Sequence, residues 1–331
     1  MDNNRTAKSV GLVMLLSTLA RGLSLVGSIL YTSWFGYTLE TDIYSYAVNL
    51  PNLVFTCLGS ALVTVVIPIY AGRLAAGERG RARDFINNIL SISLILAAAV
   101  ALLGIFISPL ITGLVGRFDA DGARGLALFA LRLMFPVMIF HAVNYVLQGV
   151  LQSNGRFVLP AIVSAFSGLS VILYVTLLAG RFGIRGLLVA TFFGLALQAV
   201  VLVPPVAARR GGLGYRFRPS LNLADGDVRL AGRLALPVLV SSSSYQLNMF
   251  VNSTFAAGFD GGVITIANMQ TLAFTAAQLF ILSTLAVYFP KMAALHATGD
   301  DGGFRGAFDA VLRLILYFAV PASVGLAFLS G

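Results

Sequence analysis

Six hydrogen-bonding side chains, Ser45, Asn49, Asn52, Thr56, Ser60 and Thr64, recur at spacings of three and four between Asp42 and Tyr70. On a helix those spacings place them along one side. Alcohols and amides in such a row offer recognition: they can hydrogen-bond a polar guest. A fixed cation stands in another apolar run, Arg21, well inside Gly11 to Phe35. It cannot shed its proton, and near mid-bilayer its insertion costs about 2.5–3.5 kcal/mol. It therefore needs an anionic partner or a hydrated, anionic guest, and a guanidinium fork suits phosphate. Asp42 lies about 30 Å away by helical rise, so a ligand fits better than a structural ion pair.

Four further runs carry similar stripes. They are Ser17, Arg21, Ser24, Ser28 and Thr32; His141, Asn144, Gln148 and Gln152; Ser241, Ser244, Asn248 and Asn252, with Tyr245 and Gln246 alongside; and Asn268, Thr271, Thr275 and Gln278. For one Ser or Thr, an interhelical hydrogen bond worth about 0.6 kcal/mol is a sufficient reading. Amides in four of five stripes point instead to a shared hydrated cavity. The candidate substrate-binding residues are Arg21, Asn49, Asn52, Asn144, Gln148, Asn248 and Asn252. Pro51 can bend its helix and free a carbonyl. Together with Asp42 it is a gating candidate, although Asp42 also fits a plain helix cap. His141 reads either as a proton-linked switch or as a hydrogen-bonded core histidine. Arg132 and Arg313 fall near helix ends, where they can snorkel. The one cysteine, Cys57, fits packing.

No paired carboxylates, metal-ligand spacing, HExxH or Walker-type glycine loop occurs. The expectation is a protein that is not an enzyme and uses no cofactor or metal.

The elements that must position these residues are membrane helices. The 331 residues are 58% hydrophobic and 11% charged, with a mean hydropathy of +0.90, against about 25% charged in soluble domains. Apolar runs near 10–35, 43–70, 85–115, 126–151, 158–180, 186–207, 234–257, 262–289 and 307–330 make an all-α polytopic membrane protein of about nine spans. The first run is too long for a signal-peptide core and reads as an uncleaved helix. The net charge of +9 is unevenly placed. Arg5, Lys8, Arg73, Arg79, Arg81, Arg83, Arg156, Arg209, Arg210, Arg216, Arg218, Arg229, Arg233, Lys291 and Arg305 fall on one set of loops. Only Arg117, Arg124, Arg181 and Arg185 fall on the other. By the positive-inside rule the N-terminus is cytoplasmic, and topology rather than nucleic acid accounts for the basic residues.

PIYAGRLAAGERGRAR from Pro68 aligns without gaps on PKMAALHATGDDGGFR from Pro290, a shift of 290 − 68 = 222. Each copy follows the second helix of its half, so the repeats run parallel. The domains predicted are a six-helix lobe over 1–210, a cytoplasmic linker over 211–232, and the first three helices of a second lobe over 233–331. On that reading the chain is truncated, with at least three helices of the second lobe missing.

The segments FGYTLETDIYSYAVNLPNL, IPIYAGRLAAGE, RLMFPVMIFHAVNYVLQGVLQSNGRFVLPA, RFGIRGLLVATFFGLALQ, YRFRPSLNL, RLALPVL, FPKMAALHATGD and LRLILYFAVPASVGL resemble the lipid II flippase family (MurJ, also MviN) of the MOP exporter superfamily. The resemblance runs in order along nearly the whole chain. It implies MOP/MATE-like helical lobes forming a V around a cavity, and a bacterial inner-membrane protein. The family's first cavity arginine falls on Arg21, and its acid of the threonine–aspartate pair on Asp42. A second arginine is replaced by Gly27, a third around Phe55 and Thr56, and the acid–arginine pair of helix eight falls near Gln270 and Thr271.

The function expected is flipping of a lipid-linked oligosaccharide, the peptidoglycan precursor lipid II, by alternating access. Its partners would be that anionic lipid-linked glycan, membrane lipid and cell-wall synthesis proteins, with no nucleic acid. The alternatives are a cation-coupled exporter of amphipathic small molecules and a non-transporting membrane scaffold.

Overall fold

The computed structural model describes residues 3–119, 122–208, 212–259, 261–269, 292 and 300–329. Its contacts divide the chain into two units, Met1–Ala267 and Asn268–Gly331. The first unit opens with α1 (Asn3–Phe35) and α2 (Leu39–Ala75). Gly36, at φ +72°, turns the chain between them. Thr38 starts α2 through a capping box: the Thr41 amide donates to the Thr38 hydroxyl at 3.4 Å, and the Thr38 amide to the Thr41 hydroxyl at 2.9 Å. At 37 residues and about 1.5 Å per residue, α2 exceeds a hydrocarbon core of about 30 Å, so its ends leave the apolar zone. α3 (Arg79–Leu114) follows.

The span expected over 126–151 is two helices, α4 (Ala123–Met134) and α5 (Val137–Ser153). Pro136, which lacks an amide hydrogen, sits at the break. α6 (Val158–Ile162) and α7 (Ala165–Leu177) make up the next crossing. α8 (Ala179–Ala207) is interrupted at Gly183, φ +56°, where Tyr174 donates its hydroxyl to the Gly183 carbonyl at 2.6 Å. Among the described residues six stretches are long and apolar enough to cross a membrane, all before residue 208.

α9 (Gly226–Ala256) begins well before the apolar run expected over 234–257. Asp225 explains the early start: its carboxylate accepts from the amides of Asp227 and Val228 at 2.8 and 3.2 Å. Hydropathy reads only the apolar body of a helix, whereas its capped first turns are polar. Residues 262–269 begin α10. In the second unit α11 spans Asp301–Leu329. The second repeat copy at 290–305, and Thr271, Thr275 and Gln278 of the fifth stripe, lie wholly or mostly outside the described residues.

Packing within the first unit decides which helix faces which. α1 lies on α6 and α7; α2 packs on α4, α5 and α9; α5 and α7 pack on α8. The unit therefore extends past the linker, because α9 lies along α2. The linker itself is strapped to α3. Tyr215 donates its hydroxyl to Asn87 Oδ1 at 2.6 Å, and the amides of Arg218, Ser220 and Asn222 donate to Asn87, Ser91 and Asn88 at 3.0–3.1 Å. Burial pushes the Tyr215 hydroxyl well above the ordinary tyrosine range, so it stays protonated and remains a donor.

α1 and α7 approach closely through Gly27 and Gly168. A Cβ on Gly27 would stand 3.3 Å from the Gly168 carbonyl oxygen, and one on Gly168 would stand 3.0 Å from the Ser24 backbone. Gly27→Arg, which would restore the family's charge, is therefore expected to force the helices apart at a cost of about 1–3 kcal/mol. The readout is a melting temperature several degrees lower. An unchanged melting point would mean the α1–α7 contact is looser than this.

Candidate functional site

The two ends of α2 are fastened to the two ends of the stretch from the start of α9 to the start of α10. At the end near Gly36, Asp42 has no exposed surface, and its Oδ1 accepts the amide of Ile264 at 3.0 Å. Asp42 thus serves as a cap, but on α10 rather than on its own helix, whose cap is Thr38. A carboxylate against free amides at a helix start is favoured by both hydrogen bonding and the helix dipole. Beside it Tyr46 and Thr254 share a hydroxyl contact of 3.4 Å, and Tyr31 meets the Tyr44 ring edge-on at 5.1 Å.

At the other end Arg73 grips Asp227 with two nitrogens at 2.8 and 2.6 Å and Glu78 at 2.6 Å. The Tyr46–Thr254 and Arg73–Asp227 pairs make α2 and α9 antiparallel neighbours joined at each end.

Between these ends the α2 stripe keeps one side of the helix. Ser45 is buried, while Asn49, Asn52 and Thr56 are half-buried. Asn52 donates back to the Val48 carbonyl at 2.9 Å, and Thr56 to the Asn52 carbonyl at 2.6 Å. Such bonds flank Pro51, whose missing amide hydrogen leaves the backbone short of a donor. The side chain of Ser60 lies outside the described residues.

α1 meets α2 where the Tyr31 ring packs edge-on against Tyr44, but otherwise α1 packs on α6 and α7 while α2 packs elsewhere. The two helices therefore part with distance from their connection. Arg21 is two turns from Ser28 on the same side of α1, exposed, and has no ion-pair partner among the described residues.

The remaining candidates divide. Asn144 is 5% exposed and spends its amide on Gln198 Oε1 at 3.1 Å, while Gln148 donates to the Asn144 oxygen. That chain ties α5 to α8 inside the unit, and only Gln148, half-buried, keeps access to an opening. Asn248 and Asn252 are exposed and bond each other at 3.0 Å.

Of Phe55 and Thr56, around which a family arginine was expected, Thr56 is half-buried, while Phe55 is 1% exposed and stacks near His141 and Tyr145, ring centroids 6.4 Å apart in each case. His141 Nε2 is buried with no hydrogen-bond partner, so the hydrogen-bonded core histidine is not what forms at that nitrogen. Gln270 and Thr271 lie outside the described residues.

Sequence reading missed Asn87, Asn88, Ser91 and the Arg73–Asp227 pair. The signal available was an Asn-Asn-x-x-Ser run early in α3, which, with one partner per amide, suits an extended chain laid alongside.

Comparison with known proteins was made on this geometry. The profile of the family described as Lipid II flippase MurJ matches residues 31–331. The probable lipid II flippase MurJ of Vibrio cholerae is 23% identical over 98% of this chain and 63% of its own length. That of Bdellovibrio bacteriovorus is 26% identical, again over 98% and 63%. The chain thus spans under two thirds of these relatives. Among solved structures, a lipid II flippase MurJ in an inward closed conformation superposes with a TM-score of 0.78 at 19% identity, covering 96% of this chain and 65% of that one. An inward-facing MATE-family multidrug transporter of the MOP superfamily gives 0.63 at 18% identity, over 94% and 71%. At such identities the likeness is one of fold, and it places this multi-pass membrane protein in the MOP architecture.

Proposed function

The chain belongs to the lipid II flippase family MurJ, and from that premise we propose that it takes part in moving lipid II across the bacterial inner membrane, with its N-terminus in the cytoplasm. The observation that carries the reading is Arg21: exposed, and unpaired among the described residues, on the helix that leads into the half-buried amides of α2. A pyrophosphate supplies the anion that a guanidinium in a membrane needs, and Asn49, Asn52 and Gln148 supply hydrogen bonds for sugar or peptide. The polyprenyl tail stays in lipid.

Two lobes, 1–210 and 233–331 joined by the linker 211–232, would rock about this site. Asn248 and Asn252 then serve from the second lobe. Asp42 and Pro51 govern the outer mouth, and Arg73 with Asp227 closes the basic end. Enzymes of cell-wall synthesis are the expected suppliers and consumers of the cargo. A cation-coupled exporter fits less well, because Asp42, the acid in the α2 stripe region, is committed to the Ile264 amide.

The test is retention of lipid II by the purified chain in native mass spectrometry, against a polyprenol of equal length. Selective retention of lipid II is expected. Equal retention of both would leave no headgroup recognition to explain.

A further inference from the structure

A crevice of about 340 Å³ runs between α2, α3 and the first turns of α9. Ala61 and Val65 from α2, Ile89 from α3, and Val228 and Gly232 from α9 give it apolar walls, and Arg229 stands among its lining residues. Arg229 is exposed, and its guanidinium has no hydrogen bond or ion pair among the described residues. Asp227, two residues earlier, is engaged by Arg73 and so does not neutralise it.

Walls without hydrogen-bonding groups reject a polar headgroup, since desolvating one there is uncompensated. At this depth of α2 the surrounding solvent is acyl chain. A cation at the interfacial end of an apolar slot matches a phosphodiester at the head of such a chain. Arg233, one turn on, is likewise exposed and without a partner among the described residues, which favours a headgroup of net negative charge.

We propose that this crevice binds one acyl chain of an anionic glycerophospholipid, with its phosphate on Arg229. The site is separate from the Arg21 stripe and does not depend on what the chain transports. An occupied crevice fills the space between α9 and the α2–α3 pair and so supports the contact that Arg73 and Asp227 close.

Gly232 supplies a clean probe, because a Cβ built there meets nothing within 4 Å. Gly232→Leu should fill the slot without displacing backbone. The full chain, purified in detergent, is titrated with phosphatidylglycerol or phosphatidylcholine and read by native mass spectrometry. The unmodified chain is expected to retain one phosphatidylglycerol in preference to phosphatidylcholine. Gly232→Leu should lower retention of both by about tenfold, since buried acyl area sets the affinity. Arg229→Gln, a surface change that leaves the slot intact, should retain both equally. Undiminished phosphatidylglycerol on Gly232→Leu would overturn the acyl site, and a surviving anionic preference on Arg229→Gln would overturn the headgroup assignment.

Discussion

Arg21→Ala is expected to weaken lipid II binding by about 10- to 100-fold, the loss typical of one or two charge-assisted hydrogen bonds, while leaving the melting temperature where it was. Both halves of that result follow from the same observation. Arg21 is exposed and pairs with nothing among the described residues, so its removal breaks no structural contact. Its charge matters only once an anion arrives. Arg21→Lys should fall between, because an ammonium keeps the charge but loses the planar fork that holds two phosphate oxygens. Titration of detergent-purified protein with lipid II, alongside a thermal melt, separates the possibilities. A lower melting point in Arg21→Ala with unchanged binding would make the residue structural and remove the basis for phosphate recognition.

Asp42→Ala should loosen the contact between α2 and the start of α10. A side-chain cap is worth about 0.5–2 kcal/mol, and the carboxylate here is wholly buried against the Ile264 amide. The proportion of molecules with this contact open should therefore rise about tenfold. The direct reporter is hydrogen exchange at the Ile264 amide, which the carboxylate protects in the closed form. Exchange should quicken by the same factor. Asp42→Asn keeps an acceptor oxygen, and Asn caps nearly as well as Asp, so it should exchange close to the unmodified rate. If Ile264 exchanges no faster in Asp42→Ala, the gate does not reside in this bond.

Some of this was legible in the chain. Period and hydropathy located the spans, since a membrane helix announces itself by twenty or so apolar residues. The same reading placed Asn144 among cavity residues, because spacing tells which side of a helix a residue occupies but not what stands across from it. Asn144 faces Gln198, 54 positions later, and no local pattern carries that. Asp42 reads in the sequence as gate or cap, and it caps a helix through the Ile264 amide, 222 residues on. The sequence marks 211–232 as a polar linker between lobes but carries no sign of what it lies against. Its hydrogen-bond partners, Asn87, Asn88 and Ser91, sit on another helix altogether. The departures at Gly27 and Phe55 also acquire a physical reason. Gly27 sits at a helix crossing and Phe55 is 1% exposed, so neither of these two residues leaves room for a guanidinium, whereas Thr56 beside Phe55 is half-buried.

The separation between Asp42 and Ile264 equals the repeat shift, 264 − 42 = 222. The bond between them has a fixed polarity: the acid accepts and the peptide N–H of an aliphatic residue donates. Exchanging the two residues, Asp42→Ile with Ile264→Asp, would therefore not recreate it, because the carboxylate would then sit on α10 itself with no helix start facing it from α2.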